Sequence, residues 1–326
     1  MSSSIIRAGE ARMDDEEAAV RAAWLYYMEG LTQDRVAGRL GTTRLRVNRL
    51  LGEARTSGLV GITINSRLAS CLALEDELKR AWGLADAVIV PTPQDAAQLP
   101  LQLGRATGEF LSRHLETHRV RRIGVGWGAT LRETIRFVKA GQWPQLHVSS
   151  MMGGLTHGLE INTFETASAL AARLGASCSY LAAPLYAGSP KSRDLLVAQD
   201  VFKESFAGMA ANDVALLSVG DLSDKSLLIR YGLPRDVTVA SLKRAHAVGD
   251  ILGRFIDADG RPVDHPLSQR AISPPLETLA KIPTVIVTSG GDNKAGVIAA
   301  VLRGKLASVL VCDEKTAAGA LKLAGG

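Results

Sequence analysis

Early in the chain the apolar positions follow a helical period. Leu31, Val36, Leu40, Val47, Leu50 and Ala54 recur at intervals of three to seven residues, with one break around Gly41. Two short helices joined by a tight turn fit that spacing. Thr32 is placed to cap the first helix and Thr43 the second through their hydroxyls, while Gly41 supplies permissive backbone at the corner. The outline is a helix-turn-helix whose second helix begins at Arg44. Before it, the stretch DDEEAAVRAAWLYYMEG from Asp14 puts acidic residues in a first turn, where the helix dipole favours them, and stops at Gly30. A leading helix is predicted there, with a stripe of Val20, Trp24, Tyr27 and Met28 covering the back of the hairpin to complete a three-helix unit. At that spacing Trp24 and Tyr26 read as core rather than as base-stacking groups, and residues 1–13 are expected to be disordered.

Beyond Gly58 the period shortens. LVGITIN alternates and reads as a short strand, and a boundary near Gly61 to Arg67 divides the chain into a helix-turn-helix domain, 1–62, and a larger domain, 63–326. The helix predicted over Ala69–Trp82 has an apolar spacing that suits either a core face or a dimer contact. From Ala85 onward apolar strand runs, DAVIVPT, RRIGVGWG, LHVSSMMGG, CSYLAAPL, DVALLSVGD, PTVIVTSGG and SVLVCDE, alternate with helices. Those helices are predicted over Pro100–His118, Thr130–Val138, Asn162–Leu174, Asp194–Met209 and Lys294–Leu302. The pattern is that of an α/β, doubly wound, mostly parallel sheet covered on both faces.

With Val47, Leu50 and Ala54 turned inward, the second helix of the hairpin exposes Arg44, Leu45, Asn48 and Arg49, with Arg46 on the flank. In a helix-turn-helix that surface enters the major groove, where an arginine can bond two atoms of a guanine edge. Arg44 and Arg49 are assigned to base edges, and Thr43, Arg46 and Asn48 to phosphates. The alternative is an ordinary solvated basic face. Charge distribution favours the first reading: Leu31 to Leu59 holds Arg35, Arg39, Arg44, Arg46, Arg49 and Arg55 against only Asp34 and Glu53, although the chain's net charge of +5 is modest.

In a doubly wound sheet, ligands bind outside the carboxyl ends of the strands. There the sequence places Gly126, Trp127, Gly128, Ala129 and Thr130 between a strand and a helix, a combination of glycine backbone, helix N-terminus and hydroxyl that suits a phosphate. Gly153-Gly154, Ser218 to Asp221 and Ser289 to Lys294 also follow strands, so several loops form one rim. Lys294 is placed to neutralise a phosphate, and Asp221, Asn162, Glu165 and Asp257 offer acceptors to hydroxyl groups. Each of these loops also reads as a plain turn, and each polar residue as a surface cap. Neither a P-loop nor a complete dinucleotide fingerprint is present, and no cofactor is expected.

Composition sets outer limits. Hydrophobic residues at 46% and charged residues at 22% are those of an ordinary globular protein with room in 326 residues for about two cores. Cys71, Cys178 and Cys312 lack metal or disulfide spacing and read as small buried hydrophobes of a reducing compartment. No run reaches the length of a membrane span and the first residues lack a signal-peptide core, so a cytoplasmic location is expected.

The motifs GVGWGATL, MMGGL, YLAAPLY, DVALLSVGDL, VGDILGRFIDADGRPVDHPL and SGGDNKAGVIAAVLRGKLASVLVCDEKTA, in that order after a helix-turn-helix, resemble the SorC family of bacterial sugar-responsive regulators. The resemblance runs from about Ala18 to the end and is closest to regulators of erythritol or other polyol catabolism. It implies an effector domain related to sugar-phosphate isomerases and deaminases, a phosphorylated sugar or polyol as effector, double-stranded operator DNA as partner, and homodimers or homotetramers. Carried over by motif, it assigns Gly126 to Leu131 as the phosphate loop, including Leu131, with Gly153-Gly154 as the second glycine loop. It also brings Lys294 to the site and places Asp221, Asp250 and Asp257 near the pocket. One departure concerns Ala129, where the family often has arginine or another polar residue, which bears on how many phosphates the effector carries.

Two rival classes follow from single features. A sugar-phosphate isomerase or deaminase-like enzyme needs a positioned acid and base, for which His157, Glu160 and Asp221 are candidates. A chain that opens on a DNA reader uses such a pocket for sensing instead. Metal binding would rest on His114 and His118, four residues apart, but RHLETHRVRR offers no converging third ligand and reads as solvated surface; His265 reads as a turn residue.

Overall fold

Thr32 and Thr43 lie in extended backbone, and each side chain accepts a hydrogen bond from an amide three residues on, Arg35 at 3.4 Å and Arg46 at 3.3 Å. The helices they start are α2 (Gln33–Arg39) and α3 (Arg44–Thr56), preceded by α1 (Asp15–Ala23). The computed structural model describes residues 15–60, 67–155 and 163–324, so the predicted LVGITIN strand falls largely outside the described residues. By internal packing the chain divides into two compact units, Met1–Asn65 and Ser66–Gly326.

The first unit is a three-helix cluster around Val36, Val47, Leu50, Leu51 and Ala54. The leading helix contributes a different face from the one its large residues predict. Ala18, Ala19, Ala22, Ala23 and Leu25 are buried, while Val20, Trp24 and Met28 are 44%, 59% and 68% exposed. The physical reason is close approach: alanines let α1 pack tightly in the cluster, and Leu25, three residues after Ala22, continues their face while the large residues turn outward.

In the second unit the chain runs α4 (Arg67–Trp82), β1 (Asp86–Val90), α5 (Leu99–Thr117), β2 (Arg122–Val125), α6 (Ala129–Phe137), β3 (His147–Ser150), α7 (Thr163–Leu174) and β4 (Ser177–Ser179). It continues through α8 (Pro190–Val197), α9 (Asp200–Ala210), β5 (Val214–Leu217), β6 (Val219–Asp221), α10 (Val239–Arg244), β7 (Gly249–Ile251) and β8 (Arg254–Ile256). The last elements are β9 (Thr284–Thr288), α11 (Ala295–Arg303), β10 (Val309–Asp313) and α12 (Glu314–Lys322). Seven strands form one parallel sheet in the order β1-β10-β9-β5-β2-β3-β4. From the central β2 the chain winds outward to β4, then returns beside β2 as β5 and winds the other way. That reversal puts a crevice at the carboxyl ends of β2 and β5.

Helices α5, α6 and α7 bury Leu103, Leu111, Leu131, Ile135 and Leu170 on one face of the sheet, and α4, α9, α11 and α12 bury Leu78, Met209, Ile298 and Ala317 on the other. Cys71 and Leu78 give α4 a core face, whereas Leu72 on the same helix is exposed. Two predicted elements divide. The helix over 194–209 is α8 and α9, because Gln199 is extended between them and Ser189 and Pro190 begin α8 four residues earlier. The run DVALLSVGD breaks at Ser218: β5 stays in the large sheet, and β6 leaves it to pair antiparallel with β7, which pairs with β8.

Candidate functional site

On α3 the buried residues Val47, Leu50, Leu51 and Ala54 fix the helix's orientation, and Arg44, Leu45, Arg46, Asn48 and Arg49 are exposed as the period requires. Each of the three arginines is engaged by a carboxylate of its own unit. Arg46 is 2.9 Å from Asp15, Arg49 2.8 Å from Glu53, and Arg44 3.8 Å from Asp34. With their side chains 52–74% exposed, such pairs are weak and screened, so a DNA phosphate or base edge can displace the carboxylate. Thr43 uses its oxygen as the α3 cap, which leaves its hydroxyl hydrogen available to a phosphate oxygen.

In the second unit a cavity of about 560 Å³ opens at the winding reversal. Its walls come from the carboxyl ends of five strands: Thr92 to Gln94 after β1, Gly126 to Thr130 after β2, Ser218 after β5, Ser289 to Lys294 after β9, and Lys315 after β10. Gly126 joins β2 to β5 through its amide, which bonds Leu216 O at 2.9 Å. Gly128 sits at φ 138°, a conformation that side chains rarely adopt, and turns the chain so that α6 begins on the cavity. No side chain caps this helix, and its first residues, Ala129 and Thr130, line the wall.

Asp250 also lines the cavity. It lies on β7, and its Oδ2 accepts from the amide of Gly253 at 3.1 Å. Its Oδ1 is buried without a partner. Burial pushes this carboxyl up to about 6, against the nearby Lys294 ammonium and the Gly253 amide, which lower it. The β7–β8 turn is also strained. Leu252 and Gly253 take φ 55° and 71°, the pairing of a type I′ hairpin, and Leu252 is a branched residue held in the left-handed region where it forms part of the cavity wall.

Lys294 lines the cavity but is not a free cation. Its ammonium is 2.9 Å from Asp221 Oδ1 and 3.1 Å from Val219 O. Burial acts to raise the Asp221 carboxyl, but hydrogen bonds from Asn293 and Ser223 together with Lys294 outweigh it and hold the group at about 2.

Of the residues the sequence singles out, Gly126, Trp127, Gly128, Ala129, Thr130, Asp250 and Lys294 meet around this cavity. Others are placed elsewhere. Leu131 is fully buried in the α5–α6 core. Gly153 and Gly154 do not form a rim: their amides bond Ile272 O and Ala183 O, and a Cβ on Gly153 would meet the Pro184 carbonyl, so this pair serves close backbone packing. Asp221 stands behind the wall as the partner of Lys294. Asp257 accepts from the amides of Asp259 and Arg261, both at 2.9 Å, and closes a surface turn; Glu165 is exposed on α7. Asn162, His157 and Glu160 lie outside the described residues.

Sequence reasoning passes over Thr92, Gln94, Lys225, Ser226, Leu252 and Lys315, all of which line the cavity. Thr92 and Lys315 stand at ends of predicted strands, which is the signal that could have found them. Elsewhere His114 and His118 stack ring on ring at 4.1 Å, and His265 caps a short helical turn by accepting from Leu267. Among the described residues no group of three or more metal-ligating side chains converges, and no helix is long and apolar enough to cross a membrane.

A helix-turn-helix joined to a sheet domain with a polar cavity at its winding reversal is the arrangement of a ligand-responsive transcriptional regulator. Residues 66–322 match the family described as "Putative sugar-binding domain". The chain is 34% identical over 320 residues to the transcriptional regulator LsrR of Escherichia coli (strain K12), covering 96% of this chain and 97% of that one. It is 32% identical over 322 residues to LsrR of Enterobacter sp. (strain 638), covering 96% and 95%. The fold superposes on the full-length sorbitol operon regulator SorC of Klebsiella pneumoniae with a TM-score of 0.72 at 27% identity, over 95% of this chain and 100% of that one. The chain belongs to the SorC family of sugar-binding transcriptional regulators. It is a DNA-binding regulator and not a sugar-phosphate isomerase.

Proposed function

We propose that this regulator reads operator DNA with Thr43, Arg44, Arg46, Asn48 and Arg49 and releases or engages it when a monophosphorylated sugar or polyol enters the cavity. The carrying observation is the presence in one cavity of the uncapped N-terminus of α6 at Gly128 and the buried Asp250 with one oxygen unpartnered. Helix amides favour a phosphate. The lone carboxylate oxygen needs a hydroxyl hydrogen to offset its desolvation. Lys225 and Lys315 line the cavity as cations that an anionic group can meet, beside Lys294, whose charge is already met by Asp221. Because Lys294 is already paired with Asp221 and position 129 is alanine, one phosphate is the better match.

The chain works as a homodimer or homotetramer, whose paired α3 helices meet operator half-sites ~34 Å apart. An effector that prefers one quaternary arrangement shifts that spacing, and a coupling of about 1–3 kcal/mol is enough to regulate. A thermal-shift screen of tetritol, pentitol, hexitol and aldose monophosphates beside the unphosphorylated compounds tests this reading. A monophosphate that raises the melting temperature where its parent polyol does not is the expected result. Stabilisation by the parent polyols alone would remove the phosphate from the proposal.

A further inference from the structure

In the sequence the first helix after the segment that joins the two units is α4. Beside its core packing, hydrogen-bond tethers fasten α4 to the elements behind the cavity. Ser70, in its first turn, donates to Glu314 Oε1 at 2.7 Å, and Glu75 accepts from the amide of Ile89 at 2.8 Å. Ile89 belongs to β1, the edge of the large sheet, and Glu75 satisfies an amide there.

Both tethers lead to one knot at the carboxyl ends of β1 and β10. Thr92 donates to Asp313 Oδ2 at 2.7 Å and accepts from the amide of Lys315 at 3.0 Å. Asp313 Oδ1 accepts from the amide of Gly291 at 2.9 Å and from the Thr316 hydroxyl. Three of these residues, Thr92, Gly291 and Lys315, line the cavity, whereas Asp313 is fully buried beneath them. Burial acts to raise its carboxyl, but the Thr316 and Thr92 hydroxyls and the Gly291 amide outweigh it and keep the charge in place. Glu314, the next residue, opens α12 and points to α4 instead of to the cavity. One turn of helix thus lines the cavity through Lys315 and holds α4 through Glu314.

We propose that this knot and the Ser70–Glu314 tether relay the state of the cavity to the DNA-binding unit. A ligand that repositions Thr92 or Lys315 moves the first turn of α12, and Glu314 passes that movement to the first turn of α4. Ser70 and Glu314 are positioning residues that do not touch the ligand. The inference rests on the effector reading above.

The test uses the full chain and an operator duplex selected from random DNA by the wild-type protein. Erythritol 4-phosphate, sorbitol 6-phosphate and ribose 5-phosphate serve as probes. Ser70→Ala is expected to keep operator affinity without probe, and probe affinity by calorimetry, each within about twofold, while the wild-type response of about fivefold or more falls below about twofold. Glu314→Ala should copy it, and Glu314→Gln, which retains an acceptor for the serine, should restore most of the response. Wild-type responses in both alanine variants would overturn the relay.

A second arm needs no probe. Thr92→Val removes both hydrogen bonds of its hydroxyl with little change of shape, and should alter operator affinity about threefold or more with Ser70 present but not with Ser70→Ala. An equal change in both backgrounds, or none in either, would overturn the relay. If the probes leave wild-type operator affinity unmoved while Thr92→Val moves it through Ser70, the effector class is wrong and the relay stands.

Discussion

Asp250 holds a carboxylate where a charge is costly, because one of its oxygens is buried without a donor. Its folded value of about 6 lies above the ordinary value of 3.8, so between those pH values the folded protein binds more protons than the unfolded chain. Stability contributed by this group is therefore lost as pH rises through that window, and the deficit persists above it. Asp250→Asn should stabilise the protein without effector by roughly 2 kcal/mol at pH 8, with the gain shrinking to nothing below about pH 4, measured by urea unfolding. The same variant should lose effector binding. A less stable variant at pH 8 would mean that the carboxylate is satisfied in the apo protein. No period or spacing marks Asp250, since it sits in a three-residue strand that begins with a glycine; family motif alone brought it forward. Asp221 shows the converse, a carboxylate paired with Lys294, a neighbour that sequence cannot locate, whereas Asp257 is held by amides two and four residues on, within reach of a local reading.

At the scale of the element, α6 shows what a helix terminus contributes. Gly128 at φ 138° directs uncapped amides at the cavity, and an L side chain there costs about 1–3 kcal/mol of backbone strain. Gly128→Ala should weaken binding of the effector about tenfold or more in calorimetry while operator affinity without effector stays near wild type. For α3 the corresponding element is its cap. Thr43→Ala should destabilise the first unit by about 1 kcal/mol in thermal unfolding and weaken operator binding, because Arg44 and Arg46 start from that turn. Unchanged stability would show that the Thr43 hydroxyl is replaced by water. The caps of α2 and α3 were legible because polar starts and apolar periods coincide in them, and the positions of α5 and β9 because their apolar patterns are clear. The face of α1 was not. Its alanines carry little weight in an apolar stripe, yet they decide how closely two helices approach, and the large residues beside them face outward.

For the whole molecule, DNA reading and ligand sensing lie in separate units, so they should fail separately. Arg49→Ala is expected to cost about 1–3 kcal/mol of discrimination against a mutated operator, measured by competition with random DNA, without changing effector affinity. Arg46→Ala should weaken binding to all sequences alike and lower the salt dependence by about one counterion. If Arg49→Ala behaves as Arg46→Ala does, the two contacts are both to phosphate.

The order of the seven strands of the large sheet along the chain, the helix-turn-helix outline, the basic face of α3 and the glycine loop after β2 were determined by the sequence alone, because each depends on neighbours within a few residues. The departure of β6 into a second sheet, the strained Leu252 turn, the pairing of Lys294 with Asp221 and the meeting of Thr92, Asp313 and Lys315 were decided only by the tertiary structure. Those residues are separated by tens to hundreds of positions and meet only when parallel strands align their carboxyl ends. A partner for a buried charge is a property of the packed interior, where desolvation and hydrogen bonding are set by groups that the chain brings from elsewhere.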